Sequence, residues 1–187
     1  MADPVLTLGE ITKIAIGAGL ASTILNQVVG GIKEYRKEKK RICQEITFLA
    51  LQSAVVLEAF AIQCADNISN YLYLEAHNVV NAECSFPTLG EFPKTDNWKY
   101  MSSHLSEKAL AFPNLINIAF LDIADDFNNV ADPDERDVIM PSYVGKHGLL
   151  AWKLAMELRG DRSLSKFEPE RNIVKVLEYA VNRYSAS

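Results

Sequence analysis

The feature that most constrains this chain is a run of nineteen uncharged residues, 14–32, which is followed at once by a basic segment. As a helix rising about 1.5 Å per residue, the run would span roughly 28 Å, close to the hydrocarbon thickness of a bilayer. Basic residues after such a span hold that end of the helix in the cytoplasm. The pattern therefore predicts a single-pass anchor in the inner membrane, with the C-terminal body in the cytoplasm. Six basic side chains would then contact lipid headgroups: Lys33, Arg36, Lys37, Lys39, Lys40 and Arg41.

The same nineteen residues allow a second interpretation, in which they form a helix buried in a soluble protein. Asn26 and Gln27 lie within the run, and polar amides in hydrocarbon are costly. In this alternative the protein is a cytoplasmic oligomer that buries residues 14–32 at a subunit interface, and the basic segment is a solvated helix face. We favour the membrane interpretation because a buried interface does not account for the abrupt basic segment. A secretory signal peptide fits worse, since its basic residues precede the apolar run.

Length, charge and cysteine content bound the other possibilities. At 187 residues the chain is long enough for one domain with an appended segment, which we assign as an apolar N-terminal helix, 1–32, and a helical-bundle domain, 33–187. Because the net charge is −5, the protein as a whole does not attract the phosphate backbone of nucleic acid, and the sequence therefore predicts no nucleic-acid partner. Three cysteines without a C-x-x-C pair favour neither a disulfide framework nor a zinc site. Cys43 and Cys64 lie in apolar periodic sequence and are expected to be buried thiols.

A long helix is predicted at the centre of the bundle. Residues 34–81 contain no proline and no glycine, and apolar side chains recur there at intervals of three, four and seven. A break near Asn67 or Asn70 is compatible with this pattern. The predicted buried stripe comprises Ile42, Ile46, Leu49, Val56, Phe60, Cys64, Ile68 and Leu72, widened by Ala50, Ala54, Leu57, Ala61 and Ala65.

Between residues 83 and 130 the sequence predicts a loop followed by two helices. The loop covers residues 83–97, which contain two prolines and a glycine. A helix then runs from residue 96 or 97 to 111, where Pro113 removes an internal hydrogen bond and interrupts it. A second apolar stripe at helical spacing continues from residue 116 to 130.

Capping and breaking residues divide the C-terminal third. Asp132 and Pro133 are typical of the cap and first residue of a helix, which Pro141 breaks or kinks. Residues 143–159 are predicted to form the next helix, with Gly160 as its stop.

The last helix is predicted to open at Glu168 or Pro169. No segment shows sustained alternation with a period of two, which is the pattern of a half-buried strand. The sequence therefore predicts an all-α fold, an antiparallel helical bundle around a long central helix, with an apolar N-terminal helix before it.

Two segments of the C-terminal half carry a resemblance to other proteins. Ala111-Phe112-Pro113-Asn114 lies between two predicted helices, and YVGKHGLLAWKLAMELR follows at residues 143–159. Together they resemble a group of small, uncharacterised bacterial proteins that are all-helical and have an apolar N-terminal segment. The resemblance implies no reaction and no catalytic residue.

Asp122, Asp125 and Asp126 are the best candidates for a metal site. On a helix they share one side, and paired carboxylates can hold Mg²⁺ or another hard cation. They also lie opposite the predicted apolar stripe, where a surface helix carries its charges. We therefore favour a solvated face over a metal site.

The sequence contains no recognisable catalytic or cofactor-binding motif. It has neither the G-x-S-x-G of a nucleophile elbow nor a phosphate-binding glycine loop. None of the three histidines follows a glutamate by three positions, as a helical di-iron site requires. The sequence therefore predicts no catalytic residue, no cofactor and no small-molecule substrate.

These patterns favour a membrane-anchored, non-enzymatic helical protein whose body contacts a protein partner or associates with itself. The soluble cytoplasmic oligomer is the alternative. A metal-dependent hydrolase that uses Asp122, Asp125 and Asp126 is a third and less favoured hypothesis.

Overall fold

The computed structural model describes residues 8–79 and 83–184, and within those residues the chain is all-helical, as predicted. There are four α-helices in this part of the chain, and a short 3₁₀ helix precedes the second of them. The α-helices are α1, Leu8–Ala76; α2, Ser103–Asn129; α3, Pro133–Asp161; and α4, Ile173–Tyr184; the 3₁₀ helix covers Asp96–Tyr100.

The chain divides into two compact units, Met1–Gln44 and Glu45–Ser187, and α1 contributes to both. In the first unit the side chains before Gly30, apart from Gln27, lie outside those that the structure describes. Most of the uncharged run 14–32 is therefore outside the described side chains. Its assignment as a separate N-terminal segment stays a prediction.

In the second unit α1 is the helix against which the others pack. The Phe60 and Phe112 rings join it to α2, with centroids 6.2 Å apart, and the Tyr71 and Tyr184 rings join it to α4 at the same distance. The predicted stripe is confirmed, since its members are buried or half-buried. The buried members are Ile46, Leu49, Ala50, Ala54, Leu57, Phe60, Ala61, Cys64, Ala65 and Ile68, and the half-buried ones are Ile42, Val56 and Leu72.

The C-terminus of α1 is defined by a left-handed residue, Asn78, with φ at 51°. The Asn78 N–H donates to the Glu75 carbonyl at 3.0 Å, and the Val79 N–H donates to the Leu74 carbonyl at 3.1 Å. These two bonds satisfy carbonyls that the last turn would otherwise leave unpaired, and asparagine tolerates the left-handed backbone better than most residues. The helix thus continues past the asparagines at which a break was compatible with the sequence.

The end of α3 has the same geometry, slightly beyond the predicted stop at Gly160. The helix continues to Asp161, and Ser163 adopts the left-handed conformation with φ at 51°. The Leu164 N–H donates to the Arg159 carbonyl at 2.9 Å, which closes the motif. The helix ends one residue later than predicted because Ser163, rather than Gly160, adopts the left-handed conformation.

Two prolines that were expected to interrupt helices lie inside continuous ones, Pro113 in α2 and Pro141 in α3. The predicted interruption at Pro113 was therefore wrong, and of the two outcomes predicted for Pro141, a break or a kink, the break does not occur. A proline deprives the carbonyl four residues before it of its helical partner. For Pro141 that carbonyl belongs to Asp137, and the Tyr71 hydroxyl of α1 donates to it at 3.2 Å. The contact between α1 and α3 thus supplies the hydrogen bond that the proline removes.

Two glycines allow α3 to approach its neighbours closely. A Cβ atom at Gly148 would lie 2.7 Å from both the Cβ of Cys64 on α1 and the Cδ2 of Leu177 on α4. A Cβ atom at Gly145 would lie 2.9 Å from the Cβ of Ala180. Since real side chains do not pack at these distances, the two glycines set the spacing of α3 from α1 and α4.

The segment predicted as the first turn of α2 is a separate 3₁₀ helix. The Thr95 Oγ1 accepts a hydrogen bond from the Asn97 N–H at 3.2 Å and caps it. α2 itself begins at Ser103, later than predicted. The start of α3 at Pro133 matches the prediction.

α4 begins at Ile173 rather than at Glu168 or Pro169. The Asn172 Oδ1 accepts a hydrogen bond from the Lys175 N–H at 3.2 Å, which is the geometry of a helix cap. The side-chain cap, rather than the proline, therefore fixes the start of α4. Its buried face consists of Ile173, Leu177, Ala180 and Tyr184, and Val181 is half-buried.

Candidate functional site

The basic segment of α1, residues 33–41, is exposed on every side. All eleven residues from Gly31 to Arg41 are exposed, and because successive helical residues turn by about 100°, they cover every face of the helix. Even the large apolar side chains are open to solvent, with Tyr35 69% and Ile32 48% exposed. Every face of the basic segment therefore carries exposed side chains.

The positive charge of the basic segment is only partly balanced within it. Arg41 forms an ion pair with Glu38, with Nη2 and Oε1 2.7 Å apart, and this hydrogen bond lowers the pKa of Glu38. The other five basic side chains form no ion pair among the described residues. The segment therefore presents a net positive surface that an anionic partner would neutralise.

One stretch among the described residues, Gly30–Ala76 of α1, is long and apolar enough to cross a membrane. More than half of the most apolar eighteen-residue part of this stretch is buried inside the protein. Core helices of soluble proteins and signal sequences have the same length and composition, so these two properties alone do not locate the helix. The uncharged run 14–32, to which the anchor is assigned, lies mostly outside the described side chains.

The carboxylates of α2 that were considered for a metal site have separate environments. Asp122 and Asp125 are exposed, whereas Asp126 is half-buried and accepts a hydrogen bond from the Tyr143 hydroxyl at 2.9 Å. Burial, helped by the charge and hydrogen bond of Asp126, raises the pKa of Tyr143 to about 12. Among the described residues, no three histidine, cysteine, aspartate or glutamate side chains are grouped closely enough to hold a metal ion. Asp126 thus ties α2 to α3.

His147 is buried one turn beyond Tyr143 on α3. Its Nδ1 lies 2.8 Å from the Tyr143 carbonyl oxygen, and because a carbonyl can only accept, Nδ1 carries the proton. The imidazole stacks on the Tyr143 ring at 5.9 Å between centroids, and the Phe86 ring meets it edge-on at 5.7 Å. Burial lowers the pKa of His147, so the folded protein favours the neutral ring.

Acidification should therefore destabilise the protein through His147. The unfolded chain binds a proton at this residue near pH 6.5, whereas the folded chain does so only at lower pH. The stability that neutral His147 contributes is fully present above about pH 6.5, and it is lost as the pH falls toward the lowered pKa. Thermal melts between about pH 7.5 and 5.5 should show this loss, and His147→Asn should reduce it. The exposed His104→Asn serves as control, and equal pH slopes for wild type and His147→Asn would contradict the assignment.

A buried ion pair, which the sequence pattern did not predict, joins α1 to α3. The Arg159 Nε lies 2.5 Å from the Glu58 Oε1, and Nη2 lies 2.9 Å from Oε2. The remaining Nη1 donates to the Ser165 carbonyl at 2.9 Å, and hydrogen bonding to Glu58 raises the pKa of Arg159. Each nitrogen of the guanidinium and each oxygen of the carboxylate thus has a partner, and the pair is suited to hold the helices together. The only sequence signal was a carboxylate inside the apolar stripe of α1.

The three cysteines differ in accessibility. Cys64 is buried, as predicted, and Cys84 is half-buried, whereas Cys43 is exposed and the prediction that it is buried was wrong. Burial raises the pKa of the Cys64 thiol and raises that of Cys84 to about 12. Neither is a thiolate near neutral pH, which argues against a nucleophilic role. Cys43 lies two positions after the basic segment and is open to thiol reagents.

An open groove of about 520 Å³ lies between α2 and the loop that precedes the 3₁₀ helix. Phe92, Pro93 and Trp98 form one side, and Pro113 and Phe120 of α2 form the other. The Trp98 Nε1 donates to the Pro93 carbonyl at 3.2 Å, which fixes the loop against the tryptophan. The groove is lined mainly by apolar atoms, with Glu91 and Lys94 as its charged lining residues.

Comparison with known proteins adds no functional assignment. No protein-family model matches the chain, and no curated protein or solved structure is significantly similar to it. A function must therefore follow from the geometry and charge of the described residues.

Proposed function

We propose that this protein is a non-enzymatic, single-pass protein of the inner membrane. Residues 14–32 span the bilayer, the basic segment lies at the cytoplasmic headgroups, and the helical bundle lies in the cytoplasm and binds a protein partner or a second copy of itself. The observation that carries the proposal is the basic segment, which is exposed on every side and directly follows the uncharged run.

Anionic lipid provides the physical reason for such a segment. Each lysine or arginine near an anionic membrane surface contributes about 1 kcal/mol of attraction. Long basic side chains also place their alkyl stems against apolar material while the charges stay among headgroups. Tyr35 lies within the segment, 69% exposed, and tyrosine is enriched at the boundary between membrane and water. A membrane surface would engage all of these groups together.

The second unit is suited to binding rather than to catalysis. Its buried charged groups are paired with one another, Arg159 with Glu58, and the half-buried Asp126 is bonded to Tyr143. Its groove is mostly apolar, and large apolar side chains such as Leu121, 71% exposed, lie on its surface. Contiguous exposed apolar surface on a packed bundle is typical of protein interaction sites.

Labelling of Cys43 tests the proposed location. We expect a membrane-impermeant maleimide to label Cys43 of the full-length protein in inside-out membrane vesicles and not in intact spheroplasts. The pKa of Cys64 and that of Cys84 are raised by burial, so these thiols react slowly, and Cys43→Ser should remove the signal. The protein should also remain in the membrane pellet after an alkaline carbonate wash.

Two double charge-reversal variants test whether the basic segment itself orients the protein in the membrane, or whether any equal change in net charge has the same effect. Lys37→Glu with Lys40→Glu should weaken the cytoplasmic preference and expose part of the Cys43 population to the outside reagent. Lys146→Glu with Lys153→Glu, both exposed on α3, makes the same change in charge and should leave labelling unchanged. Full-length protein that is soluble and monodisperse without detergent would contradict the proposal, and it would favour the cytoplasmic oligomer instead.

A further inference from the structure

The outward side of α2 carries an apolar face that the described helices leave exposed, and Leu110 at its edge also lines the groove beside the loop. Leu110, Ile118 and Leu121 are 52%, 56% and 71% exposed. Asn114 lies one turn from both Leu110 and Ile118, and at about 100° per residue it points opposite the middle of the buried stripe, so it marks the centre of the face. That buried stripe consists of Leu105, Ala109, Phe112, Ile116, Ala119 and Ile123.

The two ends of α2 have opposite and uncompensated electrostatic character. Within the described chain, Ser102 makes no side-chain capping bond and the first turn carries no acidic residue. The N-terminal N–H groups and the positive end of the helix dipole therefore lack an anionic partner on their own helix. Near the other end, the exposed Asp122 and Asp125 lie close to the negative end of the dipole, where a carboxylate is unfavourable.

We propose that a second copy of this chain binds this face, α2 against α2, antiparallel about a two-fold axis at Asn114. Leu110 of one copy then packs beside Ile118 of the other on both sides of the axis. The two Asn114 amides meet at the axis, where each can donate and accept, and a polar residue at the centre of an apolar seam fixes the register. The same patch is used by both copies, so the contact closes as a dimer.

The antiparallel direction follows from the charges of α2. Asp125 and Ser103 are equally far from Asn114 along the sequence, so the Asp125 carboxylate of each copy lies level with the uncapped N-terminus of the other. A carboxylate at a helix N-terminus is stabilising, and the two helix dipoles also oppose each other favourably. A parallel pairing would instead set Asp125 against Asp125 and Glu107 against Glu107.

In this dimer the second copy is the protein partner of the proposed function, on which the inference therefore rests. The geometry of the dimer does not depend on the membrane span. Disulfide cross-linking of the full-length protein, in a Cys43→Ser background and in native membranes, tests it. Asn114→Cys should form a covalent dimer because the two copies meet at the axis, whereas Leu110→Cys alone should not, since its two copies lie about 12 Å apart along the helices. Differently tagged Leu110→Cys and Ile118→Cys chains, when coexpressed, should link to each other. Glu178→Cys, exposed on α4, measures random collision.

A parallel pairing predicts the reverse pattern, in which Leu110→Cys and Ile118→Cys each link to themselves, and that result would overturn the proposal. The proposal would equally fail if Asn114→Cys stayed at the collision background or linked only to another protein. Light scattering gives a second measurement, in which the wild type should have the mass of a dimer and Ile118→Lys that of a monomer. Ile118→Lys should still unfold in a single cooperative transition, because this side chain is 56% exposed in the single chain and the bundle core is intact.

The dimer and the membrane attachment are overturned by different experimental outcomes. If Ile118→Lys disrupts the dimer, its Cys43 thiol should still be labelled from the cytoplasmic side as in the wild type. A dimeric Ile118→Lys protein would overturn the dimer geometry and leave the membrane proposal standing. Wild-type protein that cross-links through Asn114→Cys but is freely soluble would overturn the membrane proposal and support the dimer.

Discussion

Phe60→Ala should lower the free energy of unfolding by about 3–5 kcal/mol. Phe60 is only 1% exposed, and its ring centroid lies 6.0 Å from that of Phe86 and 6.2 Å from that of Phe112. Truncation removes both ring contacts and leaves a cavity at the level where α1 meets α2. Helices fixed by the rest of the core can fill that cavity only in part, so the loss exceeds the transfer free energy of the ring alone. Chemical denaturation of the full-length protein measures it.

Phe48→Ala is the matched control, because it makes the same chemical change on the same helix. Phe48 is 60% exposed, and its truncation should cost less than about 1 kcal/mol. Comparable losses for the two variants would show that α1 is not the central helix of the second unit.

The buried stripe of α1 was predictable because it depends on a local property, the helical spacing of apolar residues. The same property does not separate the core from a second apolar stripe on the same helix. Phe48 and Val55, 60% and 49% exposed, are as apolar as their buried neighbours. Their exposure is decided by where the other helices lie, which local spacing does not encode.

The errors at the prolines have a related cause. Pro141 is tolerated in α3 because the Tyr71 hydroxyl, 66 positions earlier in the chain, satisfies the carbonyl of Asp137. A local rule counts the bond that a proline removes, but it does not count a donor supplied by another helix. The left-handed residue Ser163 shows the same limit, since the predicted stop of α3 was the nearby glycine, Gly160.

The basic segment could be proposed from sequence because charge and hydropathy are local, but its exposure on every face could not. A basic helix face that packs on one side and is solvated on the other has the same composition. The apolar face of α2 was missed for the opposite reason. The periodicity of residues 116–130 was interpreted as a single apolar stripe, although Phe120 within that range is 44% exposed.

Glu58→Gln should also lower the free energy of unfolding by about 3–5 kcal/mol, for an electrostatic reason. Glutamine keeps the shape of the side chain but leaves the Arg159 guanidinium in the core without its counter-charge. Glu58 and Arg159 have side chains only 5% and 9% exposed, so water cannot replace the lost carboxylate. Denaturation at neutral pH measures the loss.

The exposed pair of Asp66 and Arg171 provides the control. Its nitrogen and oxygen are 2.6 Å apart, but the side chains are 51% and 74% exposed. Asp66→Asn should therefore cost no more than about 1 kcal/mol, and this smaller loss should shrink further at high salt. A similar loss for Glu58→Gln would show that the distance of an ion pair, rather than its burial, sets the cost.

The double variant Glu58→Met with Arg159→Met should recover most of the stability lost by Glu58→Gln. Neither charge then remains in the core, and apolar side chains of similar length can replace a buried ion pair at little net cost. The double variant should remain about 1 kcal/mol less stable than the wild type, because it also loses the hydrogen bond from Arg159 to the Ser165 carbonyl. Ser165 is exposed, so its carbonyl can bind water instead. The single variants Glu58→Met and Arg159→Met complete a double-mutant cycle. If the double variant loses the sum of the two single losses, the charges act independently, and the pair is not what joins α1 to α3.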